Sequence, residues 1–130
     1  MARELSMNGN TKLKTILQEF TDRFPYIRLS IYGSAEREKS SKVPLDFEKT
    51  IAEVREIKSS EPAIIRGGQK VKNLEKMIND IFGLYCQVAY TDKDGNNYYT
   101  TGSQDDLSLR ELNALGENSG WQKDKWHISK

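Results

Sequence analysis

The sequence predicts an α+β fold in which two pseudo-symmetric βαββα units pack a mixed β-sheet against helices, and three observations lead there. The stretch Arg66 to Tyr90, RGGQKVKNLEKMINDIFGLYCQVAY, reads without interruption as turn, amphipathic helix and strand. An earlier stretch, Asn8 to Tyr32, NGNTKLKTILQEFTDRFPYIRLSIY, repeats it at a constant offset of 58 residues, carrying Leu13, Ile16, Phe20 and Phe24 onto Val71, Leu74, Ile78 and Phe82. The same offset carries Thr50-x-x-Glu53 onto Ser108-x-x-Glu111, two capping boxes in which a hydroxyl covers an unpaired backbone N–H and a carboxylate reaches back. The units span about residues 3–58 and 61–116 of a single domain, 1–117, and 118–130 is a polar tail outside the repeat, either frayed or an arm docked by Trp121 and Trp126.

Each element follows from local chemistry. Leu5 and Met7 alternate as a short strand before Gly9. Leu13, Ile16, Phe20 and Phe24 recur at helical spacing until Pro25, which lacks an N–H and cannot continue the helix. Ile27, Leu29 and Ile31 then alternate with Arg28 and Ser30, the period-two pattern of a half-buried strand that Gly33 ends. Ser34 to Ser41 has no periodicity and reads as a loop, and Lys42 to Leu45 reads as an edge strand, since Pro44 keeps it from a sheet centre. A short helix starts at Thr50 and carries Ile51, Val54 and Ile57 on one face; Ala63 to Ile65 is a strand that ends at Gly67-Gly68.

The second unit is the cleaner one. Its turn is Phe-Gly where the first has Phe-Pro-Tyr, which sets Ile27, Leu29 and Ile31 against Leu84, Cys86 and Val88. Asp94-Gly95 between two β-rich runs signals a hairpin joining Leu84–Thr91 to Asn97–Thr101. Leu109, Leu112 and Leu115 follow the second capping box. A helix between the first two strands of a unit implies a right-handed crossover joining parallel strands, and the hairpin adds an antiparallel one, so the expected sheet is mixed.

Composition narrows the function classes. Twenty Lys and Arg nearly cancel nineteen Asp and Glu, so only a local cluster could recruit nucleic acid. The single cysteine, Cys86, excludes a disulfide framework and a multi-cysteine zinc site. No apolar run approaches the roughly 18 residues of a membrane span, and MARELSMNGN lacks the apolar core of a signal peptide, so a cytoplasmic location without membrane association is expected.

Gly-x-x-Lys-Val-x-x-Leu-Glu followed by Phe-Gly-Leu-x-x-Gln-Val, covering Gly67 to Val88, together with the polar helix near Ser108, resembles a group of small uncharacterised bacterial proteins. The resemblance implies the same α+β organisation and no known activity. Cys86 stands where that pattern has Val.

Candidate site residues weigh against an enzyme. Cys86 falls at an inward strand position, where a thiol fills space, and no histidine is close in sequence. His127 stands alone in the tail. Asp105-Asp106 could pair as acid and base or hold a divalent metal, but their place before Ser108 suits the positive end of a helix dipole. No cofactor and no metal are expected. Tyr26, Tyr32, Tyr85, Tyr90, Tyr98 and Tyr99 give the strands an aromatic character that suits packing and also base stacking.

The helix starts carry the specific expectation. Lys12 and Lys14, and again Lys70 and Lys72, stand where the dipole disfavours a cation by about 0.3–1 kcal/mol each. Arg66, Gly67, Gly68, Lys70 and Lys72 could converge on an anion, with a weaker related site at Gly9, Asn10, Lys12 and Lys14. The expected function is therefore a non-enzymatic binding or interaction module recognising an anionic ligand at these helix starts. A nucleic-acid binder using the same lysines and the strand tyrosines is the alternative, ahead of a small enzyme using Cys86 or Asp105 and Asp106. Self-association through the edge strand after Gly33 is a further expected partnership.

Overall fold

Two long helices carry the stripes read from the sequence. The computed structural model describes residues 5–36, 45–58 and 61–123. Helix α1, Leu13–Arg23, buries Leu13, Ile16 and Phe20, and helix α3, Val71–Phe82, buries Val71, Leu74, Ile78 and Phe82. Between them in chain order lies helix α2, Ile51–Val54. The two long helices stop differently. Gly83 adopts φ +68°, the left-handed cap that glycine takes without a Cβ penalty, and its N–H returns to the Asn79 carbonyl. Phe24, ahead of Pro25, keeps its N–H on Phe20 and leaves the helix at negative φ.

Among the described residues every strand pairing is antiparallel, which corrects the expectation of a mixed sheet. Strand β1, Leu5–Met7, pairs with β3, Ala63–Ile65, in the register Leu5↔Ile65, Ser6↔Ile64 and Met7↔Ala63. Strand β2, Arg28–Gly33, pairs with β4, Leu84–Thr91, from Arg28↔Ala89 to Gly33↔Leu84, and β5, Asn97–Tyr99, completes a three-stranded sheet ordered β2-β4-β5. The crossover rule assumes that strands flanking a helix share a sheet. Here the strand before α1 is met by the strand before α3 and the strand after α1 by the strand after α3, so no crossover returns to its own sheet.

The backbone ties of the two halves correspond. Leu13 N–H donates to the Lys49 carbonyl, Ile51 N–H to Thr11 and Ala52 N–H to Gly9; at the 58-residue offset Val71 N–H donates to Leu107, Leu109 N–H to Gln69 and Arg110 N–H to Gly67. Leu45 N–H donates to Ile31 in β2, as Thr100 N–H donates to Val88 in β4. The rest of the expected edge strand, Lys42 to Pro44, lies outside the described residues, as does the loop beyond the 3-10 turn Ser34–Glu36. Each half also braces the other. Glu56 and Ile57 donate their N–H groups to Phe82 at the end of α3, and Asn113 accepts from Tyr26 N–H beyond the end of α1.

Helix α4, Leu109–Ser119, runs past the expected boundary at Gly116. Gly116 is needed inside the helix because a Cβ there would lie 2.5 Å from the Trp121 ring and 2.8 Å from the Tyr26 Cβ. The chain turns at Gly120, φ +78°, and Trp121 stacks on Tyr90 with ring centroids 3.7 Å apart, so the first part of the expected tail is docked. Trp126, His127 and Ile128 lie outside the described residues. Helix α2 stops at Val54, which leaves Ile57 beyond it and exposed.

One buried cluster unites the stripes of α1 and α3 with Met7, Ile27, Leu29, Ile31, Ile51, Ile65, Leu84, Cys86, Val88, Leu109 and Leu112. Among the described residues no helix is long and apolar enough to cross a membrane.

Candidate functional site

At the helix starts the molecule supplies its own anions. Lys14 pairs with Glu48 at 3.0 Å and Lys72 with Asp106 at 2.6 Å, and the two pairs correspond at the 58-residue offset. The Lys72 ammonium, by its hydrogen bond and then its charge, holds the Asp106 carboxyl below the usual carboxylate range. Most of the first-turn N–H groups are occupied as well. Leu13, Lys14, Thr15 and Ile16 all donate to backbone carbonyls, of Lys49, Phe47 and Lys12, and Val71, Asn73 and Leu74 donate to Leu107 and Lys70. The Glu111 carboxyl, held below its ordinary range chiefly by the Ser108 N–H, also lies close enough to feel Lys70.

The candidate anion residues are therefore gathered, but around internal partners. Gly9 and Gly67 sit beneath guanidinium groups that the sequence reading did not single out: a Cβ on Gly9 would come within 3.2 Å of Arg55, and one on Gly67 within 3.0 Å of Arg110. Gly68 is open, and Asn10 turns its N–H onto the Asn8 side chain at 2.9 Å. Arg66 is exposed at the turn before Gly67. The two clusters are also far apart. Each long helix folds back on the strand that follows it, and β2 and β4 are antiparallel, so the two helix starts lie toward opposite ends of the sheet.

The catalytic candidates separate rather than assemble. Cys86 is buried opposite Ile31 in the core. Asp105 accepts from the Thr100 hydroxyl at 2.9 Å while Asp106 holds Lys72, so the two carboxyls face different partners. Among the described residues no group of three or more His, Cys, Asp or Glu could hold a metal ion.

A different surface has the shape of a site. Alternation along β2 and β4 sends Leu29, Ile31, Leu84, Cys86 and Val88 to the core beneath α1 and α3, and turns Arg28, Ser30, Tyr32, Tyr85, Gln87 and Ala89 to the opposite face. Register sets Arg28, Ala89 and Tyr99 in one row across the three strands. Because the middle member is an alanine, a concavity of about 300 Å³ opens over it, lined by Arg28, Ser30, Tyr32, Ala89, Asn97, Tyr98 and Tyr99. Arg28 is fixed by donating to Thr91 Oγ1 at 2.9 Å and Asn97 Oδ1 at 3.2 Å, and Thr91 donates to the same Asn97 oxygen at 2.7 Å. Tyr32 and Tyr99 join hydroxyl to hydroxyl at 2.8 Å. Burial, then the bond to Tyr99, pushes the Tyr32 phenol well above its ordinary range, with the Ser30 hydroxyl acting the other way. Tyr32 also packs beside the Tyr85 ring at 5.9 Å, and the Gln87 amide donates to the Tyr85 hydroxyl.

The sequence signalled this face only as outward positions and a count of tyrosines, because the hollow exists only once three strands are placed in register. Tyr90 and Tyr98 belong to a second patch, stacked 5.5 Å apart with Trp121 beyond Tyr90. Asp92 keeps the Tyr98 phenol above its ordinary range, first by charge. Compared with protein-family models, curated proteins and solved structures, the chain finds no significant match.

Proposed function

We propose that this chain is a duplicated βαββα scaffold whose function is binding, through the outer face of β2, β4 and β5. The duplication is supported by pairings that are each other's images. Ser6 meets Ile64, 58 residues on, while Leu5 and Met7 meet Ile65 and Ala63; Ser30 meets Gln87, 57 residues on, with Leu29↔Val88 and Ile31↔Cys86 symmetric about it. The one-residue change in offset is the residue lost from the Phe-Pro-Tyr turn.

The observation that carries the binding reading is the 300 Å³ hollow bordered by Arg28, Asn97 and the exposed rings of Tyr98 and Tyr99, with Tyr32 and Ala89 buried beneath it. A small concave site with a few placed polar groups is the usual form of a ligand pocket. A catalytic role has less support, since Cys86, Asp105 and Asp106 each have a structural partner or place and do not meet. The helix starts we assign to the frame, with Lys14 held by Glu48 and Lys72 by Asp106.

The test is thermal unfolding of the wild type and of Ala89→Leu with a panel of small acids, nucleosides, peptides and oligonucleotides. Ala89 is buried between Arg28 and Tyr99 on the face away from the helices, so leucine pushes up into the hollow at some cost in stability, and the quantity compared is the shift each ligand produces in each protein. A ligand present at a hundred times its Kd stabilises by about 2.7 kcal/mol, which raises the midpoint by several degrees in the wild type and not in the variant. Equal stabilisation of both proteins would move the binding surface elsewhere.

A further inference from the structure

We propose that the outer edge of β5 pairs with β5 of a second copy of this chain, antiparallel and about a two-fold axis at Tyr98, so that two three-stranded sheets join into one. Register decides which backbone groups are available. Asp92 N–H donates to the Asn96 carbonyl and Thr100 N–H to Val88, with Tyr98 paired to Tyr90 between them, so Asn96, Tyr98 and Thr100 turn their backbone groups to β4. Asn97 and Tyr99 therefore turn their N–H and C=O groups away from it. Among the described residues no strand lies beyond β5.

This edge lacks most of the usual protections. Natural sheets keep edges from pairing with charged side chains, proline or bulges, and Asn97–Tyr99 has none of these. Its two rings are open, Tyr98 at 46% and Tyr99 at 44% exposure. The opposite edge differs, because Leu45 N–H donates to Ile31 in β2. One open edge gives a pair that closes on itself rather than a fibre.

A second copy fits because the edge is its own complement. With Asn97 of each copy opposite Tyr99 of the other, every outward N–H meets an outward C=O, and Tyr98 falls opposite itself in the closer, non-hydrogen-bonded pair. Trp121, Tyr90 and Tyr98 already stack in a ladder with centroids 3.7 and 5.5 Å apart, and Tyr98 is its exposed end. Pairing carries that ladder into the one on the second copy, through an aromatic contact between uncharged side chains.

An extended peptide from another protein is the less favoured occupant. Strand addition draws its affinity from a row of main-chain bonds. Here the row ends at once, since the next outward N–H, that of Thr101, is held by the Gln104 side chain at 3.2 Å. A three-residue edge also falls short of the roughly 1,200 Å² of a standard interface, so the dimer is weak and forms at high chain concentration.

The experiment is sedimentation equilibrium of the full chain from about 10 μM to about 1 mM, for the wild type, Tyr98→Lys, Tyr98→Glu and an equal mixture of the two variants. The wild-type mass should rise toward twice that of the monomer. Each variant alone should stay monomeric, because like charges then face each other across the axis. The mixture should recover the dimer, since opposite charges then meet at the same place. A wild-type mass that stays at the monomer value up to about 1 mM would overturn the proposal whether or not the variants fold. Association kept by both variants would overturn it as well, and a mixture no heavier than its components would overturn the axis at Tyr98.

Discussion

Residues 5–58 and 61–119 solve the same problem at their helix starts and different problems across their shared sheet. At the starts the same backbone bonds tie the long helix to the short one, and the same kind of ion pair sits above them. On the outer face the halves diverge. The row Arg28↔Ala89 has as its image the row Tyr32↔Tyr85, so Ala89 in one half corresponds to Tyr32 in the other. The alanine leaves a hollow and the tyrosine fills one. Strand β5, which supplies Asn97 and Tyr99, then walls only the hollow over Ala89. On the proposed duplication, the frame is what the halves share, and the candidate site lies where they differ.

The largest expected effect tests the shared frame. Phe20 in α1 and Phe82 in α3 are both fully buried, at successive positions of the shared stripe, so Phe20→Ala and Phe82→Ala should each cost about 3–5 kcal/mol in urea or thermal unfolding. Phe20 should cost somewhat more, because its ring also packs on Phe24 at 5.2 Å, a contact worth about 0.5–1.5 kcal/mol beyond burial. Such losses are a large part of a domain's total. If either substitution costs less than about 1 kcal/mol, the two halves do not depend on one core in the way their contacts imply.

The sequence made the helices legible because their information is local. Leu13, Ile16 and Phe20 recur at the helical period, Pro25 and Gly83 punctuate, and Ser108 with Glu111 marks a start within four residues. Strand partners were not legible, since the partner of Leu5 lies sixty residues away at Ile65 and nothing in either triplet names the other. The mixed-sheet expectation failed there, at a rule about strands that share a sheet. The ion pairs were missed for a related reason: Glu48 and Asp106 are unremarkable loop acids until the loop is laid over the helix start. The hollow needs three strands in register, so alternation could show which side chains face outward but not that Ala89 falls between Arg28 and Tyr99.

A middle-sized effect separates the two caps. Ser108 accepts the Glu111 N–H at 3.1 Å and heads an eleven-residue helix, so Ser108→Ala should cost about 1 kcal/mol. The Thr50 hydroxyl is turned instead onto the Glu53 carboxylate, whose own N–H goes to the Thr50 carbonyl, and Thr50→Ala should cost clearly less. Both carboxylates are held below the ordinary value of 4.5, chiefly by the N–H of the cap residue. A depressed carboxyl contributes stability that is complete above its unfolded value and is lost as pH falls through its folded one. Unfolding midpoints followed from neutral pH into the carboxylate range should therefore fall on the acid side, and Glu111→Gln should flatten that fall. An unchanged acid limb would mean that the capping bond does not form in solution.

The smallest effect decides how the helix starts tolerate their lysines. Both pairs are partly exposed, and exposed pairs couple by about 0.2–1 kcal/mol. The Lys14 side chain is 30% exposed and that of Lys72 54%, so a double-mutant cycle should give the larger coupling for Lys14 with Glu48. The single substitutions discriminate further. Lys72→Ala removes a cation from the positive end of α3 and leaves Asp106 near a dipole that favours it, so it should be close to neutral. Asp106→Asn leaves Lys70 and Lys72 together at that end without the carboxylate that lies near both, and should be the more destabilising of the two, less so in high salt. The ordering Asp106→Asn worse than Lys72→Ala is what an internal counter-ion requires. The reverse ordering would mean that Lys72 contributes through contacts of its own, and the helix starts would return as candidates for an external anion.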